Sequence, residues 1–521
     1  MTERIPQNHS EYEREDEELK EALGHIWDIA AEHHLDPFPT HFEVAPANIV
    51  YQIGAYGIPG RFPHWTHGRA YRKMKTEYDH GLSVIYELVI NSNPSQAFLL
   101  ENNPPIANKF VMAHVLGHTD FFKNNHTFAA TRRDMPEAVT RNASRMRAYE
   151  DKVGRIELEK FMDAALAIEN HIDPYSIERP SREEELKIWR NSEEKLHKPS
   201  ENHVPHEFED LFSLSPAPTV EQNIGRHALS MIPPSLDSDI LGFIRNHAPY
   251  LEDWQRDVVD IVRSESLYFY PQRRTRIMNE GWAAYWHKRI MREMSDRDLI
   301  TGSENEQWWK LHSGVVAPNP RQLNPYYLGM KIFEYIEDYY NGTLSEEETS
   351  WLKRQEITTY PRYEGPLKDS PAMPHLRDAM MYNDDQSFVR NYFNKIIADR
   401  MEMYIYEDKR KKPDDPPLPV VASNSWQKIR EMLVQSLSNS GTPNISVKNG
   451  DHNNSGELYL YHEFDGRSLD PEYLEKTLPY IYQLWQRPVY IETRDKETDQ
   501  LVIYRCDGHK TTRSMQESHE I

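Results

Sequence analysis

Apolar residues recur at helical spacing along most of the first 405 residues. In the first such segment, residues 12–34, charged positions separate Leu19, Leu23, Ile26 and Trp27. The same periodicity predicts one or two helices over 136–171, and further helices within 237–312 and over 326–341. A strand-like run, LSVIYELVIN at 82–91, predicts a small sheet. The pattern therefore favours a mostly α-helical main domain with a small sheet.

The pattern changes after residue 405. The segment EDKRKKPDDPPLPVV at 407–421 is rich in charge and proline, which is typical of a linker. Beyond it the alternation predicts helices over 426–437 and 471–485, and strands over 444–448, 457–462, 488–493 and 500–505. We therefore predict a main domain at 1–405, a linker at 406–421, and a small α/β domain at 422–521. A highly charged stretch at 177–203 predicts an exposed insertion or a linker within the main domain.

The segment FVMAHVLGHTDFFKNN at 110–125 carries the first candidate chemistry. His114 and His118 are four residues apart, so a helix places both imidazoles on one face. Two neutral imidazoles in this arrangement can chelate one divalent ion. The flanking residues are apolar, which indicates a buried helix, and buried imidazoles need partners. The spacing therefore predicts a metal-binding pair, with a structural role for two core histidines as the alternative.

A second run, MNEGWAAYWH at 278–287, places Glu280 among aromatic and apolar residues of a predicted helix. A core carboxylate without a cation or a donor is rare. His114, His118 and Glu280 together resemble the three-ligand site of zinc hydrolases, in which one coordination position stays open. We expect a divalent metal there, with zinc as the first choice. In those hydrolases Glu follows the first His as the general base, whereas here the residue is Val115.

Another carboxylate must therefore act as the base of a hydrolase. Glu101 is the first candidate, because the ENNPP segment restricts the chain between it and the His helix. A capping or ion-pairing role for Glu101 is the alternative. Asp120 is weaker, because it points away from the His face of an ideal helix. Glu87 qualifies only if its strand crosses the site.

Three further groups are candidates around the metal. His287 lies on the same helix face as Glu280 but about 10 Å along the axis, so we expect it to contact substrate, donate a proton or support a ligand. Tyr285 is a candidate donor to a developing oxyanion, with an aromatic core residue as the alternative. His64 and His67 can line the cleft or simply satisfy a loop.

Composition limits the function classes. The net charge is −22, which argues against a nucleic-acid binder and against electrostatic attachment to a membrane. The single Cys506 allows no internal disulfide, and we find neither a secretion signal nor an apolar run of transmembrane length. We therefore expect a cytoplasmic protein without a membrane span. The C-terminal domain has no catalytic constellation, so we expect it to bind protein partners or to regulate.

Several long motifs resemble the stage V sporulation protein R (SpoVR) family. They are FPHWTHGRAYRKMK at 62–75, YELVINSNPSQAFL at 86–99, ENNPPIANKFVMAHVLGHTDFFKNN at 101–125, RIMNEGWAAYWHKRIM at 276–291, and NPYYLGMKIFEYI at 324–336. The resemblance covers most of the chain and implies a role in forming the spore cortex, a peptidoglycan layer. The family also occurs in bacteria that do not sporulate.

The motifs and the resemblance together lead to three function hypotheses. The first is a zincin-like, metal-dependent hydrolase that cleaves an amide bond in peptidoglycan or a precursor. The second is a degenerate zincin that serves as a scaffold or binding protein in cortex assembly, which the valine at position 115 favours. The third is a non-haem iron redox enzyme, because two His and one carboxylate also form the facial triad of such enzymes.

Overall fold

The computed structural model describes residues 9–79, 87–177, 233, 236–318, 322–409, 418–496 and 498–516. The contacts group the chain into two units. The helical unit comprises residues 1–151 and 268–442, and the sheet unit comprises 152–267 and 443–521. The predicted domain boundaries at 405 and 422 stay a prediction. The sequence pattern did not indicate that residues 152–267 group with the C-terminal segment. The charged stretch predicted at 177–203 lies outside the described residues, apart from Ile177.

Helices dominate the described part of the chain, as the periodicity predicted. They are α1 (His9–Glu32), α2 (Ala47–Tyr56), α3 (Trp65–Asp79), α4 (Pro105–Asn124), α5 (Met135–Val153), α6 (Arg155–Ala167), α7 (Ile240–His247), α8 (Asp253–Arg274), α9 (Arg276–Asp296), α10 (Gly302–Val315), α11 (Pro325–Tyr340), α12 (Glu346–Arg354), α13 (Ala372–Tyr382), α14 (Asp385–Tyr392), α15 (Lys395–Arg400), α16 (Trp426–Ser436) and α17 (Pro471–Trp485).

The strands are shorter. They are β1 (Thr40–Ala45), β2 (Leu88–Ile90), β3 (Ser95–Leu100), β4 (Ile405–Lys409), β5 (Leu418–Ser423), β6 (Ile445–His452), β7 (Glu457–His462), β8 (Val489–Arg494), β9 (Leu501–Cys506) and β10 (Thr511–Gln516). The class predicted, mostly α with a small sheet and a C-terminal domain containing a sheet, is confirmed at this level. The zincin-like comparison stays a prediction.

The small sheet of the helical unit leads directly into the His helix. Its order is β1-β3-β2, with β1 parallel and β2 antiparallel to β3. Within the run predicted as a strand at 82–91, the structure describes 87–91, of which 88–90 form β2. A short turn then joins β3 to α4, which begins with Pro105 at its first position, where proline is well tolerated. The sheet therefore places Glu87 and α4 in the same region.

The sheet unit has five strands in the order β10-β9-β8-β7-β6. Helix α17 connects β7 to β8, which are parallel, as a crossover connection requires. Residues of the segment 152–267 belong to the sheet unit, because α6 packs on α17 and because Asp237 forms a β-bridge with Val447. Strand β10, TTRSMQ, was not predicted, since it lacks an alternating apolar pattern.

Both ends of the predicted linker at 406–421 are strands of the helical unit. Strands β4 and β5 pair antiparallel across it, and residues 410–417 between them lie outside the described residues. The described parts of the segment that suggested a linker are therefore paired strands, of which IYEDK is largely charged and LPVVAS contains a proline. Such a sequence gives little of the apolar alternation by which strands are recognised.

The core of the helical unit is built around α9, which packs against α4 and α11. Glycines allow these helices to approach closely. A Cβ atom at Gly117 of α4 would lie 2.6 Å from Ala283 Cα of α9, and one at Gly281 of α9 would overlap the backbone of Gly329 of α11. The short distances between these helices therefore depend on glycine, which has no side chain, at the points of contact.

These contacts predict a stability effect. Gly281→Ala should lower the free energy of unfolding by about 1–3 kcal/mol, because the added methyl meets backbone that cannot rotate away. Gly24→Ala on α1 is the matched control, because its Cβ would meet no atom of the structure within 4 Å. That variant should gain up to about 1 kcal/mol from helix propensity. Denaturant unfolding of both variants checks the contrast, and equal effects would contradict it.

Candidate metal centre

The two histidines of the HxxxH segment lie where the spacing predicted. His114 and His118 are buried on one face of α4, and their ring centroids are 4.5 Å apart in an edge-on arrangement. The surrounding residues of α4 are buried from Ile106 to Phe122. Burial on this scale fixes both rings, so their Nε2 atoms are held in a defined position.

Glu280 of α9 reaches this pair. Its Oε2 lies 3.8 Å from His114 Nε2 and 3.4 Å from His118 Nε2. Gly117 immediately precedes His118, and its close contact with Ala283 brings α4 near the part of α9 that carries Glu280. Gly281, which follows Glu280, instead brings α9 close to Gly329 of α11. The structure thus brings together the three ligands predicted from the sequence, His114, His118 and Glu280.

A second carboxylate completes the cluster. Glu87, at the start of β2, places Oε2 3.0 Å from His114 Nε2 and Oε1 3.7 Å from His118 Nε2. One ligand atom from each of the four residues lies within 4.8 Å of every other. Glu87 was considered as a base and not as a ligand, because the sequence does not show which residue of a strand faces a distant helix. The sequence offered one indication of this role, namely that Glu87 lies in the strand-like run just before the His motif.

The donor set fits a divalent cation. Two imidazole nitrogens and two carboxylates are ligands that zinc, iron and manganese all accept. His114 Nε2 and Glu280 Oε2 are buried and form no well-aligned hydrogen bond among the described residues, although His114 Nε2 lies 3.0 Å from Glu87 Oε2. Buried polar atoms without a partner are costly, and a cation bound between them would satisfy both. His114, His118 and Glu280 are therefore the residues that would hold a metal, and Glu87 lies beside them as a further carboxylate.

The cluster opens on its carboxylate side. The side chains of Glu87 and Glu280 are 15% and 19% exposed, whereas those of His114 and His118 are 1% and 4% exposed. A ligand or substrate approaching from solvent would therefore meet the carboxylates first, while the imidazoles form the closed floor. A catalytic zinc site has three protein ligands and one open coordination position, which His114, His118 and Glu280 as ligands would leave.

Hydrogen bonds from α9 and α11 support three of the four candidate ligands. His118 Nδ1 lies 2.9 Å from Asn279 Oδ1, and His114 Nδ1 lies 2.7 Å from His287 Nδ1. The Tyr326 hydroxyl donates to Glu87 Oε1 at 2.9 Å, and its ring stacks on that of His114. Such contacts hold each ligand in orientation. Asn279 and Tyr326 were not predicted, although Asn279 stands next to Glu280 in the sequence.

The other predicted site residues lie in different places. His287 contacts His114, as a supporting residue would. Tyr285 is buried on another side of α9, where its hydroxyl donates to Glu337 and Arg289 lies over its ring. Glu101 precedes α4, whose segment from Pro105 to His114 spans about 13 Å along the axis. Glu101 is not part of the four-residue cluster. The catalytic roles of these three residues stay predictions.

Asp120 and the second His pair lie outside the cluster. Asp120 accepts from Trp282 Nε1 and Arg377, and its position away from the His face agrees with the helix geometry. His64 and His67 are buried next to each other at the start of α3, where the backbone NH of His64 donates to His67 Nδ1. Burial lowers the pKa of His67 to about 3, so this imidazole is neutral at pH 7.

The charges of the cluster are strongly coupled. Burial alone would lower the pKa of His114, but Glu87 and Glu280 outweigh it and raise the pKa to about 9. Burial opposes ionisation of Glu87, but the two imidazoles hold its pKa well below its ordinary value. Burial and both carboxylates raise the pKa of Tyr326 well above its ordinary value, so its hydroxyl remains a donor.

Fold and site together define a mainly helical protein with a cluster of two buried His and two partly buried Glu that could hold a metal ion. The chain belongs to the SpoVR family, because the model described as SpoVR like protein matches residues 13–442. The SpoVR-like C-terminal domain model matches residues 443–496. A relative from Escherichia coli (strain K12), described as uncharacterized protein YcgB, is 27% identical over 497 residues, which cover 93% of each chain. No solved structure matches the chain.

No helix among the described residues is both long enough and apolar enough to cross a bilayer.

The raised pKa of His114 predicts a proton release on metal binding. Without metal, His114 carries a proton up to a pH of about 9, and a ligand nitrogen must lose it. Binding at pH 7 should therefore release close to one proton, and the apparent affinity should rise about tenfold per pH unit between 7 and 9. Calorimetry in two buffers of different ionisation enthalpy measures the release. Identical heats in both buffers at pH 7 would contradict the assignment.

Proposed function

We propose that this chain is a metal-dependent hydrolase that cleaves an amide bond in peptidoglycan or in a peptidoglycan precursor. The observation that carries the proposal is the convergence of His114, His118, Glu280 and Glu87 on one point, with the carboxylate side open to solvent. A HxxxH helix followed by a Glu on a later helix is the ligand arrangement of zincin-like hydrolases. Zinc is accordingly the metal proposed.

The substrate class comes from the family. The SpoVR resemblance implies a role in forming the spore cortex, and peptide amides are the bonds in peptidoglycan that a zincin-like site would cleave. The single cysteine is buried and free, which suits the reducing cytoplasm, where we propose that the protein acts. A cytoplasmic location favours a precursor over the mature polymer as the substrate.

The residues divide the chemistry between them. A divalent metal bound here supplies Lewis acidity, which polarises a carbonyl and makes water more acidic. Glu87 lies beside the metal position, where its carboxylate can accept a proton from water. Tyr326 keeps its hydroxyl proton and orients Glu87 through the 2.9 Å hydrogen bond. Asn279 and His287 hold the two imidazoles.

Glu87 and Glu101 are competing candidates for the general base. Glu87 lies within the cluster, and it offers the carboxylate that Val115 does not supply. Glu101 was predicted from the rigid ENNPP segment, and it lies before the first turn of α4. We place Glu87 first because a base must come within hydrogen-bond reach of the proton that it accepts.

A second candidate function is redox chemistry on iron. The donor set favours it, because two carboxylates next to two imidazoles provide the oxygen-rich environment that iron also accepts. The identity of the metal in protein purified from its natural host distinguishes this candidate from the hydrolase.

The test combines metal analysis with an activity assay. Purified protein should contain about one zinc per chain, and His114→Ala should lose most of it with little change in helix content, because the helix itself is set by its apolar packing. The metal-loaded protein should release new amino groups from peptidoglycan fragments, and chelator should abolish the release. If the protein binds metal but cleaves no fragment or precursor, the hydrolase proposal is overturned and the scaffold hypothesis remains.

Glutamine variants identify the base. Glu87→Gln should reduce turnover by at least about a hundredfold, which is the usual contribution of a general base, while metal is retained. Glu101→Gln should leave turnover unchanged if Glu87 is the base. Glu306→Gln, on the exposed face of α10, is the matched control. Loss of turnover in the Glu101 variant alone, with metal retained, would instead confirm the prediction made from the sequence.

A further inference from the structure

Three buried imidazoles are hydrogen-bonded in series away from the metal centre. His114 Nδ1 lies 2.7 Å from His287 Nδ1, and His287 Nε2 lies 2.8 Å from His312 Nδ1. The three residues belong to α4, α9 and α10, and they are 1%, 0% and 5% exposed. Helix α10 carries none of the four candidate ligands, so His312 connects a further helix to the centre.

Each contact between two imidazole nitrogens needs one proton, which one ring donates and the other accepts. If His114 binds a metal through Nε2, its proton is on Nδ1 and is donated to His287 Nδ1. His287 then carries its own proton on Nε2 and donates it to His312 Nδ1. The order of protons along the whole series is thereby set by the metal at one end.

The protons can also be arranged along the three imidazoles in the opposite order. If His312 donated through Nδ1, His287 would accept at Nε2 and donate through Nδ1. Neutral His114 would then accept at Nδ1 and carry its proton on Nε2, the atom that faces Glu87 and Glu280. A proton at that position excludes a metal ion. The orientation of protons at His312 therefore decides whether neutral His114 can bind a metal.

We propose that His287 and His312 are positioning residues that hold His114 in its metal-binding tautomer. The inference rests on the proposed metal centre and adds α10 to it. Ligand histidines usually donate their second nitrogen to a carboxylate, a carbonyl or water. His118 follows that pattern through Asn279 Oδ1, whereas His114 depends on two further imidazoles. Burial and the nearby Lys288 lower the pKa of His312 to about 4, so its ring is neutral at pH 7 and one ring nitrogen can accept a hydrogen bond.

The proposal predicts that His312 affects metal affinity although it touches no ligand. His287→Phe should weaken zinc binding about 10- to 100-fold, the usual effect of removing a partner of a ligand histidine. His312→Phe, one hydrogen bond further away, should weaken it by about 3- to 10-fold. His312→Asn should restore affinity to within about twofold, because the asparagine oxygen takes the position of Nδ1 and accepts from His287 Nε2.

The measurement is chelator competition for zinc with the full-length chain. His67→Phe is the matched control, because His67 is also buried in the helical unit and its Nδ1 also accepts a hydrogen bond, but it lies outside the series. It should bind zinc like the wild type. Wild-type protein that binds no zinc would overturn the proposed function. Wild-type binding with unchanged affinity in folded His312→Phe would overturn only the imidazole series.

A second measurement needs no variant. Nitrogen NMR of zinc-loaded wild-type protein with labelled histidine reports which ring nitrogen of each residue carries the proton. The proposal requires protons on His114 Nδ1, His287 Nε2 and His312 Nε2. A proton on Nδ1 of His287 or of His312 would overturn it, whatever the variants do.

Discussion

The close approach of α9 to α4 and α11 is the constraint on which this molecule depends. Two helices whose surfaces carry side chains of ordinary size pack 8–10 Å apart, and only glycine at the crossing allows less. Gly117 and Gly281 stand next to His118 and Glu280 in the sequence, so the residues that let the helices meet are neighbours of those that form the site. Core packing and site geometry therefore cannot be varied independently.

Burial of charge is the second constraint, and α9 carries much of its compensation. Asn279 of this helix contacts His118, and His287 contacts His114. Glu280 lies close to both histidines of α4. The charge of Asp120 on α4 is compensated separately, by Arg377 and the indole NH of Trp282. The helices are thus held together by polar contacts as well as by apolar ones, and the polar contacts define their rotation about their axes.

Local spacing was enough to predict part of this arrangement. The HxxxH pair follows from helical periodicity, because its two residues lie one turn apart, and Glu280 follows from its place among the apolar residues of a second predicted helix. Glu87, Tyr326 and His312 could not be found in this way, since their roles arise from contacts between elements far apart in the sequence. The grouping of residues 152–267 with the C-terminal sheet is equally non-local. Strand β10 was missed because its polar sequence carries no alternating pattern.

X-ray absorption at the zinc edge tests the central claim most directly, because it reports the atoms bound to the metal. The account predicts a first shell of nitrogen and oxygen only, at about 2.0–2.2 Å, with the outer scattering of two imidazoles and no sulfur. In His118→Ala the contribution of one imidazole should disappear. A spectrum that contains sulfur, or one in which the imidazole contribution is absent or unaffected by that substitution, would contradict the account.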